Sequence, residues 1–190
     1  QKLGYDPKRT LVFCFDFNVD PGVAIVAQES ILPSGYKGTA CIGEVYIRNN
    51  SNTPAVCRKL VEDWKDHQGR IKVYGDASGG ARGSAKVDGS DWDLVKKQLR
   101  ECYRQRVTFH VPSANPYERS RVNAVNSRLK TMDGAIRLMV DPSKCPQLVR
   151  DFEGVALLEG GAGEIDKRRN SALTHLTDAL GYYIAKEFPL

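Results

Sequence analysis

The run Leu11-Val12-Phe13-Cys14-Phe15 is apolar at every position and ends on a carboxylate, Asp16. A strand apolar on both faces suits the centre of a sheet that is itself covered on both faces. Asn18, Asp20, Pro21 and Gly22 follow as turn formers and close the strand. Asp16 therefore stands at the carboxyl end of a core strand, where a carboxylate without a partner is costly. A second stretch repeats the design: Ile71-Lys72-Val73-Tyr74 leads to Gly75 and Asp76, then to Ala77-Ser78-Gly79-Gly80. A third acid, Asp178, falls within an apolar C-terminal helix. Three acids on three core elements point to one metal site.

The rest of the chain supplies the layers. Val23–Ala27 returns as a hairpin partner of the first strand, and Ala40–Ile47 closes a meander. Thr53 as N-cap with Pro54 behind it opens a helix whose stripe is Val56, Leu60, Val61 and Trp64. The Asp76 strand comes next, then a long irregular segment from Ser78 to Gly89 that carries Arg82 and Lys86. Ser90 or Asp91 caps a helix through Leu99, Val107–Val111 is a strand, and Tyr117–Lys130 is an amphipathic helix with Val122, Val125 and Leu129 inward. Ala135–Val140 reads as an edge strand and Leu148–Phe152 as a helix. Glu159–Arg169 is glycine-rich and charged, and Ala172–Lys186 is the last helix. Three successive strands followed by alternating helices and strands predict an α/β fold: a mixed sheet, antiparallel meander plus parallel strands, with helices on both faces. No internal repeat or domain boundary interrupts it, so residues 1–190 are expected to form a single domain.

Bulk properties exclude several classes. No stretch approaches the roughly 20 apolar residues of a membrane span, and no signal peptide is recognisable. The first residue is Gln1 and not Met, so the sequence is expected to be part of a longer chain. A net charge of +5 permits a polyanionic partner without requiring one. Cys14, Cys41, Cys57, Cys102 and Cys145 are scattered, with no CxxC pair, which fits reduced thiols in a cytoplasmic protein. Gly161-Ala162-Gly163 opens like a dinucleotide fingerprint but lacks its last glycine, and no loop ends in Gly-Lys-Ser/Thr.

If the Asp16 and Asp76 strands are neighbours, the two acids lie side by side at carboxyl ends, where open α/β sheets place their sites. Packed carboxylates repel unless a cation intervenes. Oxygen ligands without a cysteine or histidine cluster favour Mg²⁺ or Mn²⁺, and two such ions about 3.5–4 Å apart suit in-line displacement at phosphorus. Each of Asp16 and Asp76 could instead be a plain turn residue. On the last helix His175 and Asp178 share a face, so Asp178 could bond to His175, to a backbone amide or to metal. His175 reads as a supporting neighbour of the ligands. Lys167, Arg168 and Arg169 could meet a phosphate backbone, as could Arg119, Arg121 and Arg128, or all could be solvated surface.

Phe15-Asp16-Phe17-Asn18 to Pro21-Gly22, Tyr74 to Gly79, and His175 to Tyr182 resemble, in order, the nuclease domain of tailed-phage large terminase subunits. Asn115-Pro116 through Arg121-Val122-Asn123-Ala124-Val125-Asn126, and Leu138 to Asp141 with Cys145, resemble the same family. The likeness runs from about Leu11 to Tyr183. It implies an RNase H-like fold and a metal-dependent endonuclease that cuts concatemeric viral DNA during genome packaging. It implies that Asp16, Asp76 and Asp178 match the catalytic, metal-binding acids, with Mg²⁺ or Mn²⁺, two ions in number, as cofactor. Its implied partners are double-stranded DNA, a packaging ATPase domain in the same full-length chain, a small terminase subunit and a portal protein, in the host cell cytoplasm and without a membrane. Arg82, Lys86 and the Lys167–Arg169 run are the expected phosphate contacts, with Asp20 and Glu44 as candidate accessory acids. The rival expectations are a junction resolvase of the same fold, a non-catalytic DNA-binding or assembly module, and an actin-like or sugar-kinase-like phosphotransferase fragment.

Overall fold

Leu11–Asp16 forms β1, and its six side chains are all buried, as an apolar run in a central strand requires. The computed structural model describes residues 2–17, 21–49, 51–80, 90–154 and 174–190. Gly22–Ile31 (β2) pairs antiparallel with β1, and Lys37–Ile47 (β3) pairs antiparallel with β2. Both strands run longer than their apolar segments, because the polar ends Gln28–Ser30 and Lys37–Thr39 continue the ladder. Ile71–Gly75 (β4) joins the other side of β1 in parallel, and Val107–Phe109 (β5) lies parallel beyond it. Leu138–Val140 (β6) lies parallel to β3, so the sheet order is β5-β4-β1-β2-β3-β6. The mixed sheet expected from the order of elements is therefore present. The edge strands are shorter than expected: β5 stops at Phe109, and β6 covers only half of the apolar run 135–140.

Alternation along β1 sorts the core into two layers. Leu11, Phe13 and Phe15 pack with Leu60 of α1 (Thr53–Trp64) and with Trp92, Val95 and Leu99 of α2 (Asp91–Tyr103). Val12 and Cys14 face the opposite layer, built from α3 (Glu118–Leu129), α4 (Pro146–Gly154) and α5 (His175–Glu187). Asp16 continues the Val12–Cys14 face, and Asp76 continues the face of Tyr74, so both acids turn toward the α5 layer.

Local signals set several of the helix ends. Asn52, and not Thr53, is the N-cap of α1, accepting from the Ala55 amide at 2.8 Å with Pro54 in the first turn. Ser90 caps α2 in a reciprocal box with Asp93. The α5 N-cap, Thr174, makes no side-chain capping bond; Asp151 of α4 accepts from the Leu176 amide at 3.2 Å instead. The expected helix start at Ala172 lies outside the described residues.

Candidate metal centre

Phe15 and Gly75 are paired in the parallel ladder, so Asp16 and Asp76 terminate adjacent strands at their carboxyl ends. Close approach at this point requires glycine: a Cβ on Gly75 would lie 2.8 Å from the Phe15 carbonyl oxygen and 3.0 Å from the Trp92 ring. The Trp92 indole donates to the Asp76 carbonyl oxygen at 2.9 Å, fixing the backbone where β4 ends. Over these ends lies the first turn of α5, which carries His175 and Asp178 three residues apart on one face. Asp16, Asp76 and Asp178 are 7%, 8% and 6% exposed, so all three carboxylates are largely withdrawn from water.

Asp16, His175 and Asp178 each offer a ligand atom within 4.8 Å of the others. Within that group His175 Nδ1 lies 3.2 Å from Asp16 Oδ2. Two carboxylates and an imidazole at this spacing fit a divalent cation such as Mn²⁺ or Mg²⁺, with oxygen as the dominant donor. His175, expected as a supporting neighbour of the ligands, is one of the three residues of this candidate group.

Asp76 stands on the neighbouring strand end with its carboxylate held by protein. Oδ1 accepts from the Ser78 amide at 2.7 Å and from Asn115 Nδ2 at 2.6 Å, and Oδ2 accepts from the Ser78 hydroxyl at 2.6 Å. Asn115 Oδ1 in turn accepts from the Ala77 amide at 2.7 Å, so one asparagine grips both Asp76 and the residue after it. All three acids converge electrostatically on Tyr182. Burial pushes that phenol's pKa up, the Arg121 guanidinium opposes, and Asp16, Asp76 and Asp178 each push it further up.

Asp178 also has an arginine partner. Arg121 Nη2 of α3 donates to Asp178 Oδ1 at 2.8 Å, in an ion pair buried on both sides. Arg121, expected to be a phosphate contact or solvated surface, is thus buried in an ion pair instead. Arg128 is corrected likewise: its Nη2 lies 3.5 Å from Glu29 Oε2 and donates to Thr39 Oγ1 at 3.2 Å, at the other end of the sheet. Arg119 is exposed. Glu44, a candidate accessory acid, accepts from the Gln147 and Leu148 amides at 2.8 and 2.9 Å and so closes the N-terminus of α4. Asp20, Arg82, Lys86, Lys167, Arg168 and Arg169 lie outside the described residues. Sequence reasoning assigned no role to Asn115, Ser78 or Tyr182. All three fall inside the stretches that resemble the terminase family, which was the available signal.

No protein-family model matches the chain, and no curated protein matches it by sequence. Solved structures do. The Mn-bound nuclease domain of the large terminase from bacteriophage SPP1 superposes with a TM-score of 0.55 at 14% identity, over 94% of this chain and 87% of that one. The nuclease domain of the large terminase subunit of bacterial virus Sf6, with manganese and beta-thujaplicinol, gives 0.50 at 11% identity, over 95% and 88%. Among the described residues no helix is long and apolar enough to cross a membrane. The chain thus has the RNase H-like fold of phage large terminase nuclease domains, over nearly its whole length.

Proposed function

We propose that this chain is a metal-dependent DNA endonuclease, the nuclease domain of a tailed-phage large terminase, which cuts concatemeric viral DNA during packaging. The observation that carries this reading is the cluster of Asp16, His175 and Asp178 at the carboxyl end of β1 in this fold, with Asp76 ending the next strand. The two solved neighbours described above are terminase nuclease domains with manganese.

In this reading Asp16 and Asp178 hold divalent cations, with His175 beside them, and Asp76 completes the acid set from β4. The chemistry that divalent ions supply at such a site is neutralisation of phosphate charge and acidification of water, and two ions suit an in-line displacement. The chain's own contribution is placement. β1 and β4 set the spacing of Asp16 and Asp76, His175 Nδ1 orients Asp16, and Ser78 with Asn115 orients Asp76. Arg82, Lys86 and the Lys167–Arg169 run are proposed to contact DNA phosphates, which makes binding fall steeply with salt. An ATPase domain in the same full-length chain, a small terminase subunit and a portal protein are the partners this reading carries, in the host cytoplasm.

Plasmid cleavage in Mn²⁺, Mg²⁺ or EDTA, comparing the chain with Asp16→Ala and Asp76→Ala, tests the proposal. Metal-dependent cleavage lost in both variants supports it. Cleavage that survives both substitutions removes the site assignment, and metal-independent DNA binding without cleavage favours a binding module.

A further inference from the structure

Arg121 is the charged group most deeply tied to the acid cluster that the reaction itself leaves unexplained. It is 6% exposed, and its guanidinium donates to Asp178 at 2.8 Å while lying over the Tyr182 ring, 4.5 Å from the centroid. Its aliphatic arm crosses α5 at Gly181, where an added Cβ would stand 2.7 Å from Arg121 Cγ and 3.0 Å from Cδ. Gly181 lies three residues beyond Asp178 on the same helix, so the glycine opens the lane along which the arginine reaches the acid. The guanidinium and the three acids also act in opposite senses on the same Tyr182 phenol, Arg121 lowering its pKa and the acids raising it.

Packed, buried carboxylates need positive charge nearby to remain ionised and together. We infer that Arg121 is the resident counter-cation of the metal-free site, a positioning residue that keeps Asp178 in place before metal binds and sets how tightly metal binds. This rests on the metal-nuclease reading of the site. A fixed positive charge beside one ligand lowers the affinity for a second cation, and it also lowers the cost of assembling the acids in its absence. Arg121 therefore exchanges metal affinity for order in the empty site.

The opposing effects give a test that reads no cleavage. Thermal unfolding and calorimetric Mn²⁺ titration are run on the full chain, on Arg121→Gln, which keeps a hydrogen-bond donor but removes the charge, and on Arg121→Lys, which keeps the charge. Arg121→Gln is expected to lower Tm in EDTA, to bind Mn²⁺ about tenfold more tightly, and to show a larger Mn²⁺-induced rise in Tm than the unaltered chain. Arg121→Lys is expected to stay close to the unaltered chain in Mn²⁺ affinity. Gly181→Ala retains the arginine but obstructs its lane, and its Mn²⁺ response should move in the direction of Arg121→Gln.

If Arg121→Gln is unfolded in EDTA, millimolar Mn²⁺ should restore the fold, because the metal replaces the missing charge; failure to do so overturns the inference. Equal loss of Tm with and without Mn²⁺, at unchanged affinity, would make Arg121 a purely structural residue and overturn it too. An unaltered chain that binds no Mn²⁺ would overturn the metal-nuclease reading as well, and so separates the two failures.

Discussion

Two sets of carboxylates are satisfied in opposite ways. Glu44, Asp141 and Asp151 face backbone amides. Glu44 closes the start of α4, Asp151 takes the Leu176 amide at the start of α5, and Asp141 accepts from the Leu3 and Ser143 amides, each at 3.0 Å. Asp16 and Asp178 instead face each other and His175, with a guanidinium on one of them. Asp76 stands between the sets, holding one amide at Ser78 and two side chains. Burial of an acid is thus no mark of function by itself. Amide-bonded carboxylates use their acceptors inside the folded chain, whereas carboxylates gathered on one another form a site that a cation relieves.

Substituting one member of each set would break or sharpen that contrast. The largest effect is expected at Asp16→Asn. DNA cleavage should fall by about a thousandfold or more, while Tm in EDTA should rise because one charge leaves a repelling cluster. A lower Tm in EDTA would place Asp16 with the structural acids.

Asp141→Ala should do the reverse. Loss of the bonds to Leu3 and Ser143 at a fully buried residue is expected to cost about 2–3 kcal/mol, or about 5–10 °C in Tm for a chain of this size. Cleavage per folded molecule should be unchanged. The Ser143 hydroxyl, then the Leu3 amide, hold the Asp141 carboxyl down at about 2, below its ordinary value of 3.8. Its stabilisation is therefore present above that ordinary value and is lost as pH falls toward 2, which acid unfolding of the unaltered chain against Asp141→Ala would reveal.

A smaller, opposite pH signature belongs to Asp151. Burial raises its carboxyl from 3.8 to about 6, with Glu44 pushing up and Gln147, Leu176 and His175 pulling down. A raised value means that the folded chain prefers the protonated form, so its contribution is complete below pH 4 and lost as pH rises through 6. Asp151→Asn keeps an acceptor for Leu176 and no longer ionises. Its Tm should therefore gain on the unaltered chain between pH 4 and 7, and parallel profiles would remove this account. The smallest effect is expected at Glu44→Gln: about 1 kcal/mol or less in stability, with DNA cleavage retained. Loss of cleavage there would return Glu44 to the site.

Much of the architecture was legible because it depends on short-range pattern. The apolar run of β1, its echo before Asp76 and the alternation of later elements were enough for the mixed sheet, and the turn residues marked where β1 stops. The edges were less legible. Of residues 135–140 only Leu138–Val140 pair with β3, opposite Thr39, Ala40 and Cys41. Asp16, Asp76 and Asp178 stood out as acids attached to apolar elements, and His175 followed from helical spacing.

Their partners did not follow. Arg121 and Asp178 are 57 residues apart, Asn115 and Asp76 are 39 apart, and Gln147 and Glu44 are 103 apart. A lone arginine or glutamate carries no local sign of the charge it will meet, because that depends on which helices pack together. Sequence alone determined which residues had to be buried and which strands could be central, since burial and period are properties of neighbouring residues. Tertiary packing alone decided which buried charges cancel and which gather, because electrostatics acts through space and is indifferent to distance along the chain.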